Sequence, residues 1–224
     1  MNNVSRSNPP KKTILPVARP GYPFIAVAVF MTAVFALLGL STLTLLGLFV
    51  TLFIGYFFRD PERVIADRHQ AVVSPADGKV ISAGRWNDTE FFDGECNRIS
   101  IFMSVFNVHV NRIPHEGKVK KICYVPGKFF SAYLDKASKK NEHNAVFLKT
   151  TDGKKICVVQ IAGLIARRII CKIQPGDRVN RGQRFGLICF GSRLDVYLPT
   201  DIKLKVAVGD KVSAGASILG QLED

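Results

Sequence analysis

Hydrophobic positions fall along this chain in two regimes. From Tyr22 to Phe58 they run on without periodicity, 37 residues with no charged side chain. From Arg59 onward, short runs rich in β-branched and aromatic residues alternate with Gly, Pro and Asp. As a single helix the first regime would be roughly 55 Å long, against a hydrocarbon thickness of about 30 Å. Two short spans turning near Gly39, Leu40 and Ser41 fit better. Arg6, Lys11, Lys12 and Arg19 precede the stretch and Arg59 and Arg63 follow it, so both ends are expected on the cytoplasmic side of a bacterial-type inner membrane. A signal peptide would need an apolar region of only about 7–15 residues and a small-residue cleavage site. The pattern divides the chain into a basic tail (1–21), an α-helical membrane hairpin (22–58) and one compact domain (59–224).

The second regime predicts a mainly β domain. Residues 71–84, 98–113, 117–125, 144–150 and 154–163 read as strands. Residues 131–143, polar and Lys-rich, read as a helical turn or a surface loop. Near the end, 173–188 and 206–222 form a degenerate repeat, each with G-D-[RK]-V-x-x-G. The Gly-Asp pair suits a tight turn, Val starts a strand, and the second Gly permits another turn. Such units resemble the paired hairpins of biotinyl and lipoyl carrier domains, a barrel-sandwich-like fold that does not by itself fix an activity.

Charge narrows the partners. Lys and Arg outnumber Asp and Glu by 31 to 18, a formal +13, which suits an anionic surface. Nucleic acid would explain the charge, but there is no interleaved aromatic motif and the apolar stretch would serve no purpose. The five Cys include no C-x-x-C pair, so neither a metal site nor a disulfide framework is indicated, and they read as reduced and mostly buried. The Lys cluster at 118, 120, 121, 136, 139 and 140 is a solvated face that beside a bilayer can meet anionic lipid.

The candidate chemistry sits in "CFGSRLDVYLP", where Gly191-Ser192 interrupts a run that would otherwise make a buried strand. A carrier domain would need a Lys at this point, and 185–198 contains none. A hydrolase elbow would need G-x-S-x-G between strand and helix, and the run here is F-G-S-R-L in a β context. What remains is the Gly-Ser bond. Attack by the Ser192 hydroxyl on the Gly191 carbonyl converts an amide to an ester, β-elimination splits the chain, and hydrolysis of the dehydroalanine leaves a pyruvoyl group. That ketone can form a Schiff base with an amine and act as an electron sink.

Several separated motifs support this chemistry. "FFRDPER" (57–63), "SPADGKV" (74–80), "MSVFNVHVNRIP" (103–114), "KASKKNEHN" (136–144) and "RFGLICFGSRLDVYLP" (184–199) together resemble the phosphatidylserine decarboxylase family in its short, archaeal-type-like form, over nearly the whole chain. The resemblance implies a zymogen that cuts itself between Gly191 and Ser192 into a β chain (1–191) and an α chain (192–224) headed by the pyruvoyl group. The mature enzyme would convert phosphatidylserine in the bilayer to phosphatidylethanolamine and CO2. It implies a role in self-cleavage for Asp77, otherwise a plain Asp-Gly turn residue. His109, otherwise a packing residue, would donate a proton to the carbanion left by CO2.

One departure matters. Longer family members carry a second His three positions after the first, and here that position is Arg112, while His115 is off the spacing. Either His109 serves both steps or Ser192 is activated differently. Arg112 can stabilise an oxyanion or bind the lipid headgroup, and its role stays open. His143, where the family usually shows Arg, and Asn144 are substrate-side candidates, and His69 reads as solvated. A homo-oligomer is compatible with all of this. The rival from another class, a membrane-tethered adaptor, explains the apolar stretch and the repeat but not the grouping of Asp77, His109 and Gly191-Ser192.

Overall fold

In the computed structural model, residues 16–88, 90–132, 140–164, 168–189 and 191–223 are described. The basic residues Arg6, Lys11 and Lys12, most of the Lys-rich stretch with Lys136 and Lys139, and Phe190 lie outside them. The chain forms two units, a helical one ending at Glu62 and a β unit from Arg63 on.

The charge-free stretch folds as helices α1 (Tyr22–Leu37) and α2 (Ser41–Phe57), preceded by a single 3-10 turn at Arg19–Gly21. Pro23 occupies the first turn of α1, where its missing N–H costs nothing. Gly39, at φ +70°, lets the chain reverse between the helices. They meet where Gly47 lies against Thr32, and the Thr32 and Thr51 hydroxyls are 3.3 Å apart. Large apolar side chains such as Phe30, Leu37, Leu45, Phe49 and Leu52 remain exposed. Arg19–Leu37 is long and apolar enough to cross a membrane, and Ser41–Phe57 is apolar but shorter. Below the helices, Ala18 N donates to Phe58 O (2.7 Å) and Asp60 N to Pro16 O (2.6 Å), pinning the two ends together.

The β unit contains β1 (Ala71–Val73), β2 (Gly78–Asp88), β3 (Gly94–Met103), β4 (Val110–Arg112), β5 (Gly117–Val125), β6 (His143–Lys149) and β7 (Lys155–Ala162). The chain continues through β8 (Ile169–Cys171), β9 (Arg178–Val179), β10 (Arg184–Ile188), β11 (Ser192–Leu198), β12 (Lys203–Leu204), β13 (Lys211–Val212) and β14 (Ile218–Gln221). Eight strands form one curled sheet in the order β13-β2-β3-β11-β7-β6-β5-β9. Two three-stranded sheets, β1-β14-β12 and β4-β10-β8, complete the unit. The expected mainly β domain is observed.

Two expectations need correction. The run 98–113, patterned as one strand, breaks at Ser104–His109. Asn107 Oδ1 accepts from both the backbone N (2.9 Å) and the hydroxyl (2.8 Å) of Ser104, closing a side-chain turn that outcompetes the ladder. His109 therefore precedes a strand instead of lying within one. The two G-D-[RK]-V-x-x-G units are also not hairpins. In each, the first strand (β9 or β13) forms an edge of the large sheet, and the second (β10 or β14) is the middle strand of a small one. The second Gly, Gly182 at φ +76° or Gly215 at φ +78°, turns the chain from one sheet into the other.

The strand order exposes a duplication. Exchanging β1, β2, β3, β11, β12, β13 and β14 with β4, β5, β6, β7, β8, β9 and β10 maps the large sheet onto itself and each small sheet onto the other. The bonding repeats with it. Gly176 N donates to Val119 O and Gly209 N to Val80 O, both at 2.8 Å. Gly182 N donates to Ile113 O and Gly215 N to Ser74 O, again both at 2.8 Å. Arg112 N donates to Pro75 O and Val73 N to Pro114 O, each at 2.9 Å, so the two halves clasp each other.

Period-2 alternation sends one set of side chains to each face of the large sheet. Ile99, Ile101, Met103, Leu194, Val196, Leu198, Val158 and Ala162 join the main core. Cys96, Cys157, Val159, Ile161 and Tyr197 pack with Phe91 in a second cluster on the other face.

Candidate active site

Residues Gly191 and Ser192 lie at the head of β11, a strand flanked by β3 and β7 and buried along its whole length. Ser192 is opposite Met103 on one side and Ala162 on the other. Alternation along β11 puts it on the main-core face, and it is fully buried. Gly191 has φ +66°, a conformation that disfavours any side chain. Across from it, at the end of β7, a Cβ on Gly163 would overlap the Gly191 carbonyl oxygen and press on its carbon. The carbonyl between residues 191 and 192 is thus flanked by a surface only glycine can provide.

Three primary amides lead toward this point from inside the core. Asn144 and Gln160 are cross-strand partners on β6 and β7, and Asn144 Nδ2 donates to Gln160 Oε1 (3.0 Å). Gln160 Nε2 donates to Asn111 Oδ1 on β4 (2.8 Å), crossing from the large sheet to a small one. Gly186 makes the crossing possible, since a Cβ there would stand 2.8 Å from Gln160 Nε2. Asn111 Nδ2 then meets the Met103 sulfur at 3.7 Å, and the Ser192 hydroxyl meets the same sulfur at 3.9 Å.

The sequence candidates divide between these surroundings. His109 is fully buried one residue before β4, at the end of that strand nearest the segment running into Gly191. Its Nδ1 lies 2.9 Å from the Asn107 carbonyl, which can only accept, so Nδ1 carries the hydrogen and Nε2 is the basic nitrogen of the neutral ring. Asp77, just before β2, is two strands from Ser192 at the same end of the sheet, about 10 Å away by strand spacing. Its Oδ2 accepts from Arg63 Nη2 and its Oδ1 from the Ala214 amide, both at 2.7 Å. Asn144 shares the face of Ser192 through the amide chain. His143 projects to the opposite face, edge-on to Phe91, with Nε2 3.9 Å from Glu90 Oε1. Arg112 turns away from the Ser192 end, its Nη1 donating to Gly182 O at 3.0 Å.

Sequence reasoning missed several members. Asn111 and Gln160 look like ordinary polar residues in apolar runs, and only the stacking of two sheets joins them. Arg193 and Asp195 form a fully buried bidentate pair (Nε to Oδ1 2.6 Å, Nη2 to Oδ2 2.8 Å), and Arg193 Nη2 also donates to Ser100 Oγ (2.9 Å). Their i, i+2 spacing on a strand was the available signal. The pair locks β11 to β3 one residue after Ser192. Burial pushes the Cys189 thiol up, against a smaller opposing pull from Arg168, so this neighbour of the Gly-Ser bond stays protonated at neutral pH. Among the described residues no group of three His, Cys, Asp or Glu could hold a metal ion.

Comparison with known proteins converges on one family. The family model for phosphatidylserine decarboxylase matches residues 50–220. A phosphatidylserine decarboxylase proenzyme of Desulfotalea psychrophila is 54% identical over 93% of this chain and 97% of its own length. Proenzymes of the same name from Geotalea uraniireducens (53% identical, 92% and 97% covered) and Syntrophus aciditrophicus (52%, 91% and 96%) align as completely. With a Gly-Ser bond whose serine is buried at the head of its central strand, and with relatives matched over more than nine-tenths of its length, this chain belongs to the phosphatidylserine decarboxylase family.

Proposed function

We propose that the chain is a proenzyme that cuts itself between Gly191 and Ser192 and then decarboxylates phosphatidylserine to phosphatidylethanolamine. The observation that carries this reading is the pairing of a left-handed Gly191, its carbonyl backed by Gly163, with a Ser192 buried in the core. In self-cleavage the Ser192 Oγ attacks the Gly191 carbonyl carbon and the bond to the Ser192 nitrogen breaks. Loss of the Cα proton then breaks the Cβ–Oγ bond, releasing Gly191 as a carboxylate. Hydrolysis expels ammonia and leaves a pyruvoyl group on residue 192.

The surroundings fit that group: two buried cross-strand neighbours, Met103 and Ala162, exclude water, and an amide donor stands close by. A pyruvoyl group at residue 192 would supply the electron sink that decarboxylation of an amino acid headgroup needs. With no His at position 112, His109 Nε2 is the base and acid available for both steps, its tautomer held by the Asn107 carbonyl. Arg63 and the Ala214 amide hold Asp77 as the acid of the self-cleavage machinery. The two like halves are compatible with a barrel-sandwich-like fold, although their Gly-Asp units link two sheets instead of closing as paired hairpins.

In this reading α1 and α2 form a hairpin in the inner membrane with the β unit in the cytoplasm, so that a substrate anchored by acyl chains need not leave the bilayer. C-terminal reporter fusions test that orientation, and a periplasmic C-terminus would refute it.

Intact mass tests the central claim. The expected result is two chains split at 191/192 for the wild type, one uncut chain for Ser192→Ala, and a borohydride-trapped lipid adduct on the smaller chain. His109→Ala is expected to lose decarboxylation. A folded wild type that stays uncut would instead indicate a tethered adaptor.

A further inference from the structure

The chain of buried amides has a direction, and the direction points at residue 192. Gln160 Nε2 also approaches the Ile170 carbonyl (3.5 Å), which can only accept, so the nitrogen end of Gln160 is fixed. Its oxygen must then face Asn144, which supplies an N–H. Asn111 in turn must accept from Gln160 with its oxygen, which leaves its NH2 aimed at Met103. All three amides are at least 97% buried, where an apolar side chain would serve packing at lower cost. Yet the last donor of the series ends on a thioether, one of the weakest acceptors a protein offers. The neighbour on that same sulfur is the Ser192 hydroxyl, 3.9 Å away from it.

We infer that Asn111 is a donor to residue 192 in self-cleavage, and that Gln160 and Asn144 are positioning residues that keep its N–H turned that way. The inference rests on the self-cleavage reading above. Met is unbranched and its sulfur gives up little, so on this inference Met103 turns aside and Asn111 Nδ2 and Ser192 Oγ, 3.7 and 3.9 Å from that one sulfur, close on each other. A hydrogen bond there occupies one lone pair of the hydroxyl and fixes its rotamer, leaving the other lone pair for the Gly191 carbonyl and the proton for the base. Reversal of Asn111 would present an oxygen instead, which would take the hydroxyl proton and hold it from the base. Gln160 prevents that reversal without approaching Ser192 itself, and Asn144 does the same for Gln160.

The test follows the rate at which newly synthesised full-length precursor splits, read by gel and intact mass in a cell-free translation time course with detergent or bilayer present. Asn111→Leu and Gln160→Met keep the volume and remove the donor or its support. Each is expected to slow splitting about tenfold or more, as loss of one hydrogen bond of about 1.4 kcal/mol at the transition state would. The same changes placed in Ser192→Ala report the melting temperature of an uncut chain, which separates misfolding from slowed chemistry. Asn111→Asp supplies a readout that a packing role would not move. A neutral carboxyl can accept from Gln160 and donate to Ser192, whereas an ionised one cannot donate. Its splitting rate, taken relative to the wild type at the same pH, should therefore be highest at low pH and fall as pH rises through the titration of the new carboxyl. Wild-type rates in Asn111→Leu, or an Asn111→Asp profile parallel to wild type, would overturn the inference. A wild type that never splits would overturn the self-cleavage reading instead.

Discussion

At the residue scale the site depends on what is missing from Gly163. Its hydrogens leave room for the Gly191 carbonyl, and a methyl group there would have to displace backbone, which yields less readily than a side chain. Gly163→Ala is expected to tilt the carbonyl that Ser192 must attack and to lengthen the half-time of splitting more than about tenfold, since small misplacements of reacting groups cost orders of magnitude. The uncut chain should keep its circular dichroism spectrum, because Gly163 lies just beyond β7 and outside its ladder. Splitting at the wild-type rate would remove Gly163 from the machinery. The residue was invisible in the sequence, where "IAGLIARR" offers only another loop glycine; its importance comes from a contact 28 positions away in the chain. Ser192 and Gly191 were legible because they broke an apolar run, and His109 and Asp77 because a family pattern singled them out. Asn111 and Gln160 broke nothing, since a polar residue in a strand normally faces water.

Elements were more legible than contacts. A stretch without charge, with one Gly at its centre, could become little other than two helices and a turn. The strands β5, β6 and β7 fall within a residue of the positions that β-branched patterning predicts. What patterning could not give was sheet membership: Val179 and Val212 each fall in a strand, as the second of its two residues instead of its start, and only the partners across the ladder decide that it edges the large sheet. The helical pair carries its own test. Gly47 admits Thr32 at a point where a Cβ would stand 2.6 Å from the hydroxyl, and the Thr32 and Thr51 hydroxyls lie 3.3 Å apart. Small residues that let backbones approach, with hydroxyls bonded across them, are the means by which helices associate in lipid, where such a bond is worth about 0.6 kcal/mol. Thr32→Cys with Thr51→Cys, in a chain whose native Cys are replaced, should oxidise to an intramolecular cross-link in bilayers. Adding Gly47→Leu should abolish the cross-link, and failure of the Cys pair to link at all would show that the helices pack otherwise in lipid.

At the scale of the whole β unit, the duplication separates scaffold from function. Asp77-Gly78-Lys79-Val80 and Glu116-Gly117-Lys118-Val119 occupy equivalent places, each opening a long strand and each pairing with an edge strand of two residues. Both acids also meet an arginine. Asp77 Oδ2 takes Arg63 Nη2 at 2.7 Å, and Glu116 Oε2 lies 3.2 Å from Arg181 Nε. A fold built from two like halves needs neither ion pair to differ, so any difference between them belongs to the site. Arg181 lies inside its own Gly-Asp unit and also donates to the Ala71 carbonyl, so it ties scaffold to scaffold. Arg63 comes from the first residue of the β unit, outside either repeat, and reaches the acid proposed for self-cleavage. Removing each guanidinium should therefore have unlike effects. Arg181→Ala is expected to lower the melting temperature of the uncut Ser192→Ala chain by about 2–4 °C, the shift about 1 kcal/mol produces in a domain of this size, and to leave the splitting rate of the parent chain unchanged. Arg63→Ala is expected to slow splitting about tenfold, because Asp77 then keeps only the Ala214 amide to fix its carboxylate, and misplacing a group of the self-cleavage machinery costs about that much or more. Arg63→Lys should recover part of the rate, since an ammonium restores the charge but not the guanidinium's fixed geometry. Equal effects of Arg63→Ala and Arg181→Ala on splitting would mean that Asp77, like Glu116, serves only to hold the two halves together.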